Sequence, residues 1–283
     1  MAWIQNKRVV ITGATSGIGK DVAIRLADQG AHVVLACRDP RRGQKVADAI
    51  NARVWAERAA VMTLDTSDQR SIRAFARAYR DSYGFLDVLV NNAGVLLAGP
   101  RQTRSDGVEL TFATNVLGYY AVTIELLHAL KRGAPSRVVN VASTFASDVD
   151  LDDLQFERRP YDGMTAYAQS KACDRMVTWA FARRLKRDSI TVNAMAPGLV
   201  LGTELYRHLS PEALRGLEEL GGRTVPEGAE TAVWLASSPD VEGVTDAFFE
   251  LGQEVPCQFR DEIAEERLWQ ACEQLVRQLE PKL

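Results

Sequence analysis

Histidine and cysteine are scarce in this chain. Three histidines (His32, His128 and His208) and four cysteines (Cys37, Cys173, Cys257 and Cys272) lie far apart in 283 residues. No CxxC pair, HExxH motif or mixed Cys/His spacing occurs, so neither a metal site nor a disulfide framework is expected. The cysteines read as small buried hydrophobes. No basic run extends beyond a pair, and 34 Lys and Arg stand against 37 Asp and Glu, for a net charge of −3. That balance leaves no electrostatic footprint for nucleic acid. No apolar run is long enough to predict a membrane span. The opening MAWIQNKRVVITG lacks the basic region, apolar core and small-residue cleavage site of a signal peptide, so a cytoplasmic setting is expected. Internal repeats, low-complexity stretches and linkers are also missing. One domain spanning 1–283 is the expectation.

What is present is a regular alternation. Short β-branched apolar runs at 7–12, 32–37, 59–64, 86–90, 137–141, 190–194 and 247–250 read as strands. Longer amphipathic stretches at 17–29, 41–52, 68–82, 105–131, 163–187 and 226–237 read as helices. Strands alternating with helices predict a parallel sheet of about seven strands, doubly wound in the Rossmann manner with helices on both faces. Two regions break the rhythm: the polar segment 147–163, and a helix-prone segment 203–222 in which Pro211 is placed to start a helix after Ser210. A tail at 260–283 carries Ile263, Leu268, Cys272, Leu275 and Leu279 at roughly helical spacing, which predicts a packed terminal helix.

Strand one runs directly into Thr12-Gly13-Ala14-Thr15-Ser16-Gly17-Ile18-Gly19. Gly13 permits a sharp turn, Gly17 a close backbone approach to a pyrophosphate, and Gly19 close packing of the next helix. The helix start offers unpaired N–H groups and a positive dipole end to phosphate. Further on, Tyr167 and Lys171 stand at i and i+4 of a predicted helix and so share one face. An ammonium beside a phenol favours phenolate, so Lys171 is expected to lower the Tyr167 pKa.

The glycine run, Asn91-Asn92-Ala93-Gly94 after strand four, Tyr167-Ala168-Gln169-Ser170-Lys171 and Pro197-Gly198 after strand six occur in this order. Together they resemble the short-chain dehydrogenase/reductase family over about residues 7–252. The ACRD segment, the SDGVELTFATNVLG stretch and the insertion before the tyrosine are similar to its retinol-dehydrogenase-like branch. The resemblance implies a dinucleotide-binding half at about 1–145, a catalytic and substrate half at about 146–252, and a helical extension at about 253–283.

It also implies roles. Asn115, Ser143, Tyr167 and Lys171 would form the catalytic tetrad. Ser143 and Tyr167 would bind a carbonyl or alkoxide oxygen, with Tyr167 moving the proton. Lys171 would tune Tyr167 and hold the cofactor, and Asn115 would hold a water and help place Lys171. The cofactor would be held by Gly13, Thr15, Ser16, Gly17, Ile18 and Gly19. Asp65 and Thr66 would add to it after strand three, Asn92, Ala93 and Gly94 after strand four, and Pro197, Gly198, Val200 and Thr203 after strand six. Arg38 closes strand two where NADP-preferring members carry an arginine, whose planar fork suits a 2′-phosphate. NADPH is therefore the expected cofactor.

The chain departs from the commonest family pattern twice. The interval from Ser143 to Tyr167 is 24 residues because of the charged insertion, which is expected on the pocket rim. The family often places Thr or Ser four residues beyond the glycine of the Pro-Gly pair; here that position is Gly202, and Thr203 follows. Leu96, Phe145, Leu199, Leu205 and Tyr206 could join Ser143 and Tyr167 around a bulky apolar or aromatic ketone or aldehyde. A polyketide-type ketone is as much an expectation as a retinoid. Family analogy also suggests a homo-oligomer through helices 105–131 and 163–187. Two other functional classes remain open at this level: a cofactor-binding redox sensor without turnover, and a non-redox epimerase or dehydratase.

Overall fold

The structure, a computed structural model, describes residues 3–278. The strands are β1 (Arg8–Thr12), β2 (His32–Cys37), β3 (Ala59–Thr63), β4 (Val88–Asn91), β5 (Ser136–Val141), β6 (Ile190–Ala196), β7 (Phe248–Glu250) and β8 (Gln253–Glu254). They form one sheet in the order β3-β2-β1-β4-β5-β6-β7-β8. Pairing is parallel throughout except between β7 and β8. The extra strand β8 is a two-residue return, turned through Leu251 and Gly252 with positive φ at both. The strand order reverses between β1 and β4, which opens a crevice at the carboxyl edge of an α/β sheet.

The main helices are α1 (Gly17–Asp28), α2 (Pro40–Val54), α3 (Gln69–Tyr83), α4 (Leu110–Phe112), α5 (Gly118–Arg132), α6 (Gly163–Leu185), α7 (Pro211–Glu219), α8 (Val225–Ser237) and α9 (Glu262–Gln278). Their starts follow from local chemistry. Asp39, Asp68, Asp162 and Ser210 each accept backbone N–H bonds at an N-cap, and Thr224 and Glu227 form a reciprocal capping box on α8.

Alternate strand residues serve opposite faces. Val9, Ile11, Leu35 and Val90 pack with α1, α2 and α8, while Val10, Val34, Leu89 and Val138 pack with α3, α5, α6 and α9. Both faces are therefore covered, which explains why the strands read as continuous apolar runs.

The helix expected over 105–131 begins later. Gly107, at φ +86°, turns the chain back so that Arg104 N–H donates to the Val108 carbonyl, and Glu109 caps α4 through the Thr111 and Phe112 amides. A π turn at Ala113–Leu117 then joins α4 to α5. The combined Leu110–Arg132 helix is long and apolar enough to cross a membrane by composition, but 78% of its apolar window is buried inside the fold. It reads as a core helix.

The insertion also differs from expectation. Asp153 accepts the Glu157, Arg158 and Arg159 amides, and Arg159 stacks 3.9 Å over the Phe156 ring. Gln169 of α6 accepts Asp150 N–H at 3.0 Å and donates to the Leu154 carbonyl at 3.1 Å. Tyr161 reaches Glu109, and Asp152 reaches Arg267 of α9. Its charges are consumed by these anchors, so segment 147–163 lies against α4, α6 and α9 and contributes no lining to the main cleft.

The tail forms α9 as expected. Leu268 and Cys272 are fully buried, and Trp269 packs edge-on against Tyr120 of α5 and Phe181 of α6, both at 4.8 Å. Ile263 instead points outward, 77% exposed, on the face of the first turn opposite Ala264 and Glu265, which meet the core and Arg183. Leu279 lies outside the described residues.

Candidate active site

A cleft of about 1220 Å³, counting the part open to solvent, runs along the carboxyl edge of the sheet at the β1/β4 reversal. Its first wall is the glycine loop. Gly13 and Gly17 adopt φ +67° and +52°, which L side chains rarely accept. A Cβ on Gly13 would also meet Ala93 Cα at 2.9 Å. Gly19 faces the Asn92 amide and the Gly13 carbonyl rather than the strand surface. Asn92 staples this arrangement: its Nδ2 donates to the Thr12 and Gly13 carbonyls, and its backbone N–H, with that of Ala93, donates to Thr12 Oγ1. Thr12 was not singled out from the sequence, since a threonine ending a strand carries no distinguishing pattern.

Ser16 caps α1 by position but makes no side-chain cap bond. The first amides of α1 are thus left to a ligand. Thr203 lies over this point, with Cγ2 3.4 Å from where a Gly17 Cβ would be, and its buried Oγ1 has no hydrogen-bond partner among the described residues. A polar orphan above an uncapped helix start, beside a glycine held at positive φ, fits the pyrophosphate region of a dinucleotide.

The second wall is Arg38, Asp39 and Arg42 after β2, with Asp65 and Thr66 after β3. Asp39 spends its carboxylate on the Arg41 and Arg42 amides. Asp65 does likewise, accepting from Ser67 N–H and Oγ–H through Oδ1. Arg42 is paired with Glu204 of the loop after β6. Arg38 is exposed on the cleft and makes no hydrogen bond or ion pair among the described residues.

At the inner end α6 carries Tyr167 and Lys171, both more than nine-tenths buried and both lining the cleft. Ser143 follows β5 and neighbours the Tyr167 phenol closely enough to act on its ionisation. Ser143 Oγ also accepts Phe145 N–H at 3.0 Å. The Phe145 ring, half exposed, stacks on Tyr167 with centroids 6.4 Å apart and 17° between planes. Tyr206 comes near enough for the Tyr167 charge to act on it; burial and that neighbour push its phenol up to about 12.

The Tyr167 phenol is raised, not lowered, from its ordinary value. Burial is the main cause, the Ser143 hydrogen bond opposes it, and the Asp174 carboxylate raises it further. Lys171 does not offset that burial, and it is itself engaged. Its Nζ donates to Asp174 Oδ2 at 2.8 Å and to the Val141 carbonyl at 3.0 Å. Burial disfavours the Lys171 charge, but Asp174 and Tyr119 together outweigh it and the Lys171 pKa is raised. Asp174 itself, fully buried, is pushed up to about 6 by that burial, against the pull of Lys171. Asp174 is the residue the sequence reading missed, although its i+3 spacing from Lys171 places it on the same helix face.

Asn115 sits in the π turn with its side chain fully engaged. It accepts Val95 N–H and donates to the Val95 carbonyl and to Ser170 Oγ. It therefore ties the post-β4 segment to α6 rather than touching Lys171 through its side chain. Gly94 leaves space between them: a Cβ there would lie 3.4 Å from Asn115 Oδ1 and 3.8 Å from Lys171 Nζ.

The cleft gathers Gly13, Thr15, Ser16, Gly17, Ile18, Arg38, Asp65, Thr66, Asn92, Ala93, Gly94, Tyr167, Lys171, Pro197, Thr203 and Leu205. Gly19, Asn115, Ser143, Phe145 and Tyr206 are not part of its lining. Other predicted residues lie farther off. Val200 is buried beneath α8, where it fills the space a Gly228 Cβ would need. Leu96 is buried in the interior. Leu199 bonds the Arg223 amide, and Gly198, at φ +78°, turns against the Arg223 side chain.

The short chain dehydrogenase family profile matches residues 7–213. Retinol dehydrogenase 13 of Homo sapiens is 36% identical, over 97% of this chain and 86% of its own length. A solved, uncharacterised protein of Mycobacterium paratuberculosis is 32% identical with TM-score 0.76, covering 98% of this chain and 96% of the other. A Burkholderia cenocepacia short chain dehydrogenase in complex with NADP is 27% identical with TM-score 0.71, covering 88% and 97%. The matched profile, the doubly wound fold and the glycine-loop cleft agree: the chain belongs to the short-chain dehydrogenase family of oxidoreductases, in its retinol-dehydrogenase-like branch.

Proposed function

We propose that this protein is an NADPH-dependent reductase of a bulky apolar or aromatic ketone or aldehyde, running in reverse on the alcohol. The observation that carries this reading is the placement of Tyr167 and Lys171 at the inner end of the glycine-loop cleft, with Ser143 acting on the Tyr167 phenol. When bound, the reduced nicotinamide supplies the hydride. Ser143 orients the substrate oxygen by hydrogen bonding, and that bond strengthens as negative charge develops. Tyr167, held protonated by burial, donates the proton to that oxygen. Lys171 holds its end of the cleft, and Asn115 keeps the post-β4 segment docked on α6.

Preference for the phosphorylated cofactor rests on Arg38, the cleft cation left without an ion pair among the described residues while Asp39 faces the α2 amides. The NADP complex of the Burkholderia relative is consistent with it. Leu205 lines the cleft and the Phe145 ring stacks on Tyr167, which favours an apolar substrate, in keeping with a relative named retinol dehydrogenase.

The test is reduced-nicotinamide absorbance with NADPH and NADH in parallel, over aromatic, aliphatic and polycyclic carbonyls. NADPH-selective consumption that disappears in Tyr167→Phe is expected. Equal use of both cofactors removes the NADPH assignment. Tight NADPH binding without turnover of any carbonyl favours a redox sensor.

A further inference from the structure

Asp174 is a fully buried carboxylate one helical turn from Lys171, on the inner side of the cleft. Its Oδ2 accepts from Lys171 Nζ at 2.8 Å, while its buried Oδ1 finds no donor among the described residues. A half-satisfied buried carboxylate is costly, so its presence calls for an explanation. Helix capping offers none, since Asp174 lies in the interior of α6.

Lys171 has three N–H donors. One reaches Asp174 and one the Val141 carbonyl, so two are already committed. Its Nζ lies 5.9 Å from the Tyr167 ring centre and 5.2 Å from the Tyr119 ring centre. At such distances a bare ammonium would pull a phenol strongly toward phenolate. An anion 2.8 Å from the ammonium turns that charge into a dipole and removes much of the pull.

We propose that Asp174 is a positioning residue that sets the protonation of Tyr167 by holding Lys171 and cancelling its charge, which biases the site toward proton donation and carbonyl reduction. This rests on the reading of Tyr167 as the proton-transfer group. The groups facing Asp174 are Tyr167, Lys171, Cys173 and Arg175 on its own helix, Tyr119 from α5 and Cys272 from α9. Arg175 is engaged elsewhere: it donates to the Ser143 carbonyl and stacks 3.9 Å over Phe248. Tyr119 donates its hydroxyl to the Val141 carbonyl. Lys171 is thus the only cation hydrogen-bonded to Asp174 among the described residues.

The decisive experiment is a tyrosinate absorbance titration of Tyr167, taken as the difference between each protein and its Tyr167→Phe counterpart. It needs no substrate and no turnover. Asp174→Asn keeps an acceptor for Lys171 and removes the charge. In the wild type Tyr167 should ionise above the ordinary phenol value of about 10. In Asp174→Asn it should ionise about 1 pH unit lower, or more, the scale of shift an unmasked nearby charge produces. The alkaline limb of reductase activity should move down by the same interval, and alcohol oxidation should gain at neutral pH. If Asp174→Asn does not fold, Asp174→Ser removes the same charge and reads the same shift. An unchanged Tyr167 titration, or a wild-type value below the ordinary one, overturns the proposal. A wild type that reduces no carbonyl overturns the functional reading instead, and the titration still decides the role of Asp174.

Discussion

Tyr167 is caught between burial, one hydroxyl and a charge pair, and the balance decides how activity should follow pH. Its pKa is raised by burial and Asp174 against the Ser143 hydrogen bond, so the phenol stays protonated at neutral pH. A proton donor is competent below its pKa and fails above it. Reductive turnover should therefore be flat through the neutral range and fall only near or above about pH 10, the ordinary phenol value. A kcat profile against pH checks this. Arg38 carries the second prediction at this scale. Arg38→Leu should weaken NADPH binding about tenfold or more, the scale of a lost charge-assisted bond, and leave NADH little changed. Cofactor fluorescence titration reads both. Arg38 and the Tyr167–Lys171 spacing were legible in the sequence; Asp174 was not singled out, because an acid at i+3 from a lysine is common on any solvated helix face. Only its complete burial makes it unusual.

Elements in this fold are held by short polar devices rather than by propensity alone. The insertion shows this most clearly. Burial works against the Asp153 charge, but three backbone amides overcome it and hold the carboxyl below its ordinary range. A carboxylate with a lowered folded pKa stabilises above its unfolded value of about 3.9 and loses that contribution as pH falls below it. Amide exchange at Glu157, Arg158 and Arg159 should accordingly accelerate in acid before global unfolding. Asp153→Ala should cost about 1–3 kcal/mol in a denaturant titration, the scale of orphaned buried donors. The glycine loop is less forgiving. Gly13→Ala places a Cβ at positive φ and 2.9 Å from Ala93 Cα, so cofactor binding should be lost with the fold retained, as calorimetry with NADPH and circular dichroism together would show. The glycines were readable from their position after β1. The route of the insertion was not, because charged residues signal solvent in sequence and these are paired with one another, with Gln169 and with α9.

At the scale of the whole molecule, α9 decides which surfaces are open. It lies across α6, with Trp269 wedged against Tyr120 and Phe181 and with the buried Glu265 paired to Arg183. The helix pair that family analogy suggested for subunit contact is thus partly covered by the chain's own tail. Leu268 is fully buried in this contact, and Leu268→Ala should lower unfolding free energy by about 2–5 kcal/mol. Chemical denaturation measures that loss, and a smaller one would mean that α9 detaches readily.

The sequence by itself determined the strand and helix alternation, the glycine loop, the Tyr167–Lys171 face and the Arg38 position. Each of these is a local pattern, written in residue type and spacing over a few positions. The tertiary structure decided what those residues meet. It seated Thr203 over Gly17, spent Asp39 on a helix cap and Asn115 on Val95 and Ser170, drew the insertion away from the cleft, and buried Asp174 against Lys171. These outcomes depend on contacts between distant segments and on exclusion of water, and neither burial nor pairing is encoded at any single position.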